Sequence, residues 1–172
     1  MNIRKPIRLE NYDYSQNGAY FITICVKDRL PILSEISASA VGASIARPKD
    51  IRVPKPELTD IGLIVERAIQ SIPLHYENIS VDKYVIMPNH VHLLIRIDSE
   101  SGRAMLAPTG ISGIVQQMKG YVTKQYGKAI WQKSFYDHVI RSERDYLEIW
   151  QYIDGNPAKW SEDELFVMNS DR

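Results

Sequence analysis

At 172 residues the chain has the length of one ordinary domain, and with 44% apolar and 24% charged residues it can bury a core, which excludes general disorder. It has no uncharged apolar run of about 18 residues, its basic start MNIRKPIRLENYDY lacks a following apolar stretch, and its single cysteine excludes an internal disulfide or a multi-cysteine zinc cage; no membrane span, no secretory signal and a cytoplasmic location are expected. The net charge of zero gives no global pull towards nucleic acid.

In chain order, AYFITICV at 19–26 is rich in aromatic and β-branched residues and reads as a buried strand. Residues 34–57 are small, polar and punctuated by proline, which predicts a surface insertion in a single domain spanning 1–172. Ile61, Ile64, Val65, Ala68, Ile69 and Ile72 form one helical stripe, with Thr59 or Asp60 as cap and Pro73 as stop. Two strands follow at about 79–87 and 90–98, joined by a turn at Pro88-Asn89. A second helix over 111–127 carries Ile111, Ile114, Val115, Met118 and Val122 on one side. A short extended segment, SFYDHVIR, leads to a third helix capped by Ser142, with Tyr146, Ile149, Trp150 and Ile153 as its stripe. An acidic tail closes the chain at 161–172. Short links between neighbouring strands imply antiparallel pairing, so the order predicts an α+β ferredoxin-like sandwich with its helices mainly on one face of the sheet.

In MPNHVHLLIRI the strand period of two sends Val91, Leu93, Ile95 and Ile97 to one face and His90, His92, Leu94 and Arg96 to the other. Two imidazoles then stand side by side on a face expected to be partly open, which suits a shared metal ion but equally suits two histidines without a ligand. A third ligand would have to come from elsewhere. On the third helix Tyr152 and Asn156 lie four apart on one boundary row. There a tyrosine can offer its hydroxyl to a substrate and an asparagine its amide oxygen to a metal; packing and helix termination explain the same residues equally well.

Charge is uneven along the chain. Residues 101–144 hold seven Lys or Arg against two acids, a balance of +5, whereas 145–172 balance at −5. A basic surface from Arg103, Lys119, Lys124, Lys128 and Arg141, with the arm Arg4-Lys5-Arg8, is therefore available to a polyanion.

MPNHVHLLI, the helix ISGIVQQMKGYVTK, the segment WQKSFYDHVIRSERDY and the pattern Tyr152-Ile153-Asp154-Gly155-Asn156-Pro157 resemble, in order and spacing, the REP-associated tyrosine transposases, within the single-tyrosine HUH transposases of bacterial insertion sequences. The resemblance covers Gly18 to about Trp160. It implies an HUH nuclease domain acting on single-stranded or hairpin DNA, with His90 and His92 as the metal-binding pair, Tyr152 as nucleophile and Asn156 at the position of a third polar ligand. It further implies endonuclease and strand-transfer chemistry through a 5′-phosphotyrosine, aided by Mg²⁺ or Mn²⁺. Relatives include both dimers that exchange helices and monomers that complete the site in cis; a monomer is expected here because the short 142–157 helix directly follows a strand-like segment. Two rivals stay open at this level: a domesticated hairpin-binding protein without turnover, and a metal-dependent phosphoesterase that uses water.

Overall fold

The structure, a computed structural model, describes residues 13, 16–36, 55–98 and 110–162. The acidic tail beyond 162, the loop at 99–109 and the basic residues Arg4, Lys5, Arg8 and Arg103 lie outside the described residues.

The frame is a four-stranded antiparallel sheet. β1 (Gly18–Cys25) pairs on one side with the later β5 (His90–Ile97) and on the other with β6 (Tyr136–Ile140), while β4 (Ile79–Ile86) flanks β5, giving the order β4-β5-β1-β6. This is the ferredoxin-like arrangement: each helical crossover skips over one strand, and the tight β4–β5 link at Met87-Pro88-Asn89 forms the hairpin. A separate two-stranded ladder joins β2 (Ser34–Glu35) to β3 (Glu57–Leu58), so the ends of the 34–57 segment are paired to each other; residues 37–54 are not among those described.

The two long crossover helices cover one face. α1 (Asp60–Gln70) is capped by Thr59, whose hydroxyl accepts from the Gly62 amide at 3.1 Å. α3 (Ile111–Tyr126) buries Ile114, Met118 and Val122 and ends at Gly127, which takes a left-handed conformation (φ 82°). Their stripes meet Tyr20, Ile22, Ile24, Val91, Leu93 and Ile95 in the main core. Pro73 does not stop the chain after α1 but opens a one-turn helix, α2 (Ile72–His75), because proline fits a first helical turn, where no amide partner is required.

α4 (Glu143–Gly155) takes the opposite face. Ser142 caps it, its Oγ accepting from the Asp145 amide at 3.1 Å, and Tyr146, Ile149, Trp150 and Ile153 pack over Val85, Leu94, Phe21 and Ile140 in a second, smaller cluster. A polar hub fastens the helix to the sheet: Asp82, beside a bulge in β4, accepts from Arg96 Nε (2.9 Å), the Tyr146 hydroxyl (2.9 Å) and Ser80 Oγ (2.7 Å). Burial opposes the Asp82 charge, but bonds from Arg96, Ser80 and Tyr146 outweigh it and hold its pKa below the ordinary carboxylate value. Helices thus lie mainly on one face, with α4 reserved for the face of the histidine pair. Among the described residues no helix is long and apolar enough to cross a membrane.

One glycine is required by close approach. A Cβ built on Gly62 would sit 2.0 Å from the Leu33 carbonyl oxygen and 3.2 Å from Leu58 Cβ, where the β2–β3 ladder crosses the first turn of α1. Gly62→Ala is expected to cost about 1–3 kcal/mol, since backbone rather than a flexible side chain must yield. A denaturant melt with an unchanged midpoint would contradict this close approach.

Candidate active site

β5 is an interior strand that begins immediately after the hairpin, so its first and third residues stand in mid-sheet at one end. There Cys25 lies opposite His90, and Thr23 and Val85 flank His92 from the two neighbouring strands. The face is not open as the one-sided sandwich implied. His90 is fully buried and His92 is 3% exposed, because α4 and the 3-10 turn after it bring Ile153 and Trp160 over this end.

Each imidazole is oriented through its Nδ1. That of His90 bonds Asn89 Oδ1 at 2.8 Å, and that of His92 bonds Thr23 Oγ1 at 2.9 Å. The Asn89 amide is fixed in turn, its Nδ2 donating to the Arg29 carbonyl at 3.2 Å. That carbonyl belongs to a turn in which Asp28 and Arg29 both adopt left-handed backbone (φ 56° and 54°), a strained arrangement costing about 1–3 kcal/mol per residue. With Asn89 Oδ1 able only to accept, His90 carries its proton on Nδ1 and turns a lone pair outward from Nε2.

The two Nε2 atoms face each other at 3.0 Å. Two imidazole nitrogens this close are a donor pair that would suit a divalent ion. Burial first, and then the neighbouring His90, hold the His92 pKa well below the ordinary histidine value, so the neutral, ligating form prevails at neutral pH. Among the described residues no three His, Cys, Asp or Glu side chains cluster as a metal cage, so a third protein ligand here would have to be of another kind. Asn156 carries an amide oxygen of that kind; buried, 3% exposed, it follows Tyr152 by one turn at the end of α4.

Tyr152 itself is 48% exposed and directs its hydroxyl to within 3.5 Å of His92 Nε2. Its ring meets Phe21 edge-on with centroids 5.9 Å apart, while Phe21 stacks on His92 at 5.1 Å. The Tyr146 hydroxyl is directed to Asp82 instead, and Tyr121 and Tyr126 ride on α3 across the sheet. One chain therefore brings two imidazole Nε2 atoms and an accessible phenol together.

Comparisons with known proteins bear on this assembly. No family model matches the chain. An uncharacterized protein of Haemophilus influenzae is 32% identical over 95% of this chain and 93% of its own length. A second protein of that organism, named "Putative REP-associated tyrosine transposase", is 24% identical over 88% of this chain and 77% of its own. A solved REP-associated tyrosine transposase bound to a REP hairpin has the same fold, with a TM-score of 0.57 and 21% identity over 88% of this chain and 74% of that one. The chain thus has the fold of a REP-associated tyrosine transposase and is similar in sequence to a protein so named.

The basic residues of the chain divide. Lys124, Lys128 and Arg141 are exposed. Lys119, expected on a phosphate-binding face, instead turns its ammonium inward and donates to the carbonyls of Gln132 (2.8 Å) and Ser134 (3.0 Å), and partial burial lowers its pKa. Trp131 and Phe135 are buried, whereas Tyr136 is exposed. Sequence reasoning missed Thr23, Phe21, Trp160 and the orienting role of Asn89. Only the Pro88-Asn89 hairpin carried a signal, because its asparagine directly precedes His90.

Proposed function

We propose that this transposase-like protein is a single-strand DNA endonuclease and strand transferase of the HUH single-tyrosine kind, cytoplasmic and acting on DNA hairpins with Tyr152 as nucleophile. The observation that carries the reading is the Tyr152 hydroxyl 3.5 Å from His92 Nε2, beside the 3.0 Å pair of Nε2 atoms. His90, His92 and Asn156 would hold a divalent ion, Mg²⁺ or Mn²⁺. When bound, that ion neutralises charge on the phosphate and orients it.

The phenol oxygen of Tyr152 attacks phosphorus in line, the P–O3′ bond breaks, and the phenol proton ends on the departing 3′ oxygen. The products are a 5′-phosphotyrosine and a free 3′-hydroxyl. Because the ester keeps the energy of the broken bond, a second 3′-hydroxyl can attack it, take over the strand and return the proton to Tyr152. Asn89 and Thr23 keep the imidazoles aimed, and Phe21 steadies both the His92 ring and the Tyr152 ring. Nucleophile and histidines belong to one chain, which supports a monomer as the working unit.

Incubation with hairpins carrying a single-stranded flank tests the reading. A covalent protein–DNA adduct is expected; binding without reaction, or free cleaved product without an adduct, would overturn it. Affinity should fall steeply with salt, since several phosphates are neutralised on binding. Lys124→Glu with Lys128→Glu should weaken all hairpin sequences about equally and flatten the slope of log affinity against log salt by about 0.7–0.9 for each phosphate left without its cation. An affinity insensitive to salt would contradict a DNA-binding basic surface.

A further inference from the structure

The face that bears the histidine pair continues beyond β1 to the edge strand β6. Register defines one row across it, with His92 opposite Thr23 and Thr23 opposite Tyr136. Val139 enters the main core and Ile140 the cluster under α4, so alternation assigns Tyr136 to the histidine face. Two strand spacings separate Tyr136 from His92, about 10 Å. Yet the Tyr136 side chain is 59% exposed, more than Tyr152, while Trp131 and Phe135 just before it are buried.

The segment leading into Tyr136 is fastened to the fold. Lys119 fastens the carbonyls of Gln132 and Ser134 and lies 5.9 Å from the Phe135 ring centroid. The Gln132 amide donates to the Cys25 carbonyl at 3.0 Å, and the Lys27 amide to that of Ile130 at 2.7 Å. Two residues beyond Tyr136, on the same face, His138 is held by Asp145 at 2.9 Å. A tyrosine carried on such a fixed backbone offers a flat ring of the kind on which single-strand binding proteins stack unpaired bases.

We propose that Tyr136 is a stacking platform for an unpaired base next to the scissile phosphate, aligning the single strand along the Tyr136–Thr23–His92 row. It is a positioning residue, and the proposal rests on the DNA-cleavage reading above. The test uses hairpins whose flank carries 2-aminopurine at successive positions, bound to Tyr152→Phe protein so that the strand stays intact. Fluorescence should be quenched at one or two positions beside the cleavage point. Tyr136→Ala should relieve that quenching and weaken affinity for the flanked hairpin about tenfold, with affinity for a hairpin lacking the flank unchanged. Tyr136→Phe and Tyr136→Trp should retain both properties.

Quenching that survives in Tyr136→Ala, or equal loss of affinity for flanked and flankless hairpins, would overturn the platform. So would Tyr136→Phe behaving like Tyr136→Ala, because the hydroxyl rather than the ring would then matter. If the otherwise unsubstituted protein binds and cleaves the hairpin but no flank position responds to Tyr136, only the platform falls. If it binds no hairpin, the cleavage reading falls with it.

Discussion

Tyr152→Phe is expected to abolish the covalent adduct and to lower strand cleavage about a thousandfold or more, while hairpin affinity and thermal stability stay close to those of the unsubstituted protein. The variant removes one oxygen from a half-exposed side chain. The ring keeps its edge-on packing against Phe21 at 5.9 Å and His92 at 5.3 Å, so the end of α4 is preserved. What disappears is the hydroxyl 3.5 Å from His92 Nε2. Tyr146 is no substitute, because it lies six residues earlier in the apolar stripe and its hydroxyl is directed to Asp82 at 2.9 Å. Gel trapping beside a filter-binding titration checks both halves of the expectation. An adduct that persists in this variant would show that another group is the nucleophile.

Removing the metal is expected to be as damaging. Chelation of divalent ions should stop cleavage, about a thousandfold or more, and leave hairpin binding largely intact, since the proposed binding surface is made of basic residues away from the imidazoles. Mg²⁺ or Mn²⁺ should restore activity. His90→Ala and His92→Ala should each give the same loss, with a structural cost of about 1–3 kcal/mol because Asn89 Oδ1 and Thr23 Oγ1 lose buried partners. The chelated, unsubstituted protein carries no such cost, which separates a chemical defect from a folding one. Cleavage continuing in the double variant with chelator present would contradict a metal held by this pair.

Much of the frame was legible because it follows from local periodicity. Alternation in β5 separated Val91, Leu93, Ile95 and Ile97 from the two histidines, and the 3.6-residue stripes marked α1, α3 and α4. Ser142 as a cap was equally local. The four-residue spacing of Tyr152 and Asn156 fixed their common row on α4. Features that depend on which strand lies beside which were not readable. Thr23 becomes the partner of His92 only through the β1–β5 register, 69 residues apart in sequence. The histidine face was expected to be partly open because Ser142 and the stripe do not say on which side of the sheet α4 will settle; the Asp82 hub and the Val85–Leu94 surface draw it to that side. Lys119 looked like a surface cation for the same reason, as the carbonyls it meets come from a loop after the helix. Pro73 was misjudged by a purely local rule, since a proline that ends one helix can begin the next.

The central claim is that the Tyr152 oxygen becomes bonded to a 5′ phosphate. Its most direct test is a hairpin labelled once at the 3′ end and once at the 5′ end, incubated with the unsubstituted protein and Mg²⁺, with the adduct then digested and sequenced by mass spectrometry. The 3′ label should travel with the protein, the 5′ label should leave on a fragment ending in a free 3′-hydroxyl, and the modified peptide should carry its DNA remnant on Tyr152. A remnant on Tyr146, Tyr121 or Tyr136, or a 5′ label retained on the protein, would contradict the account.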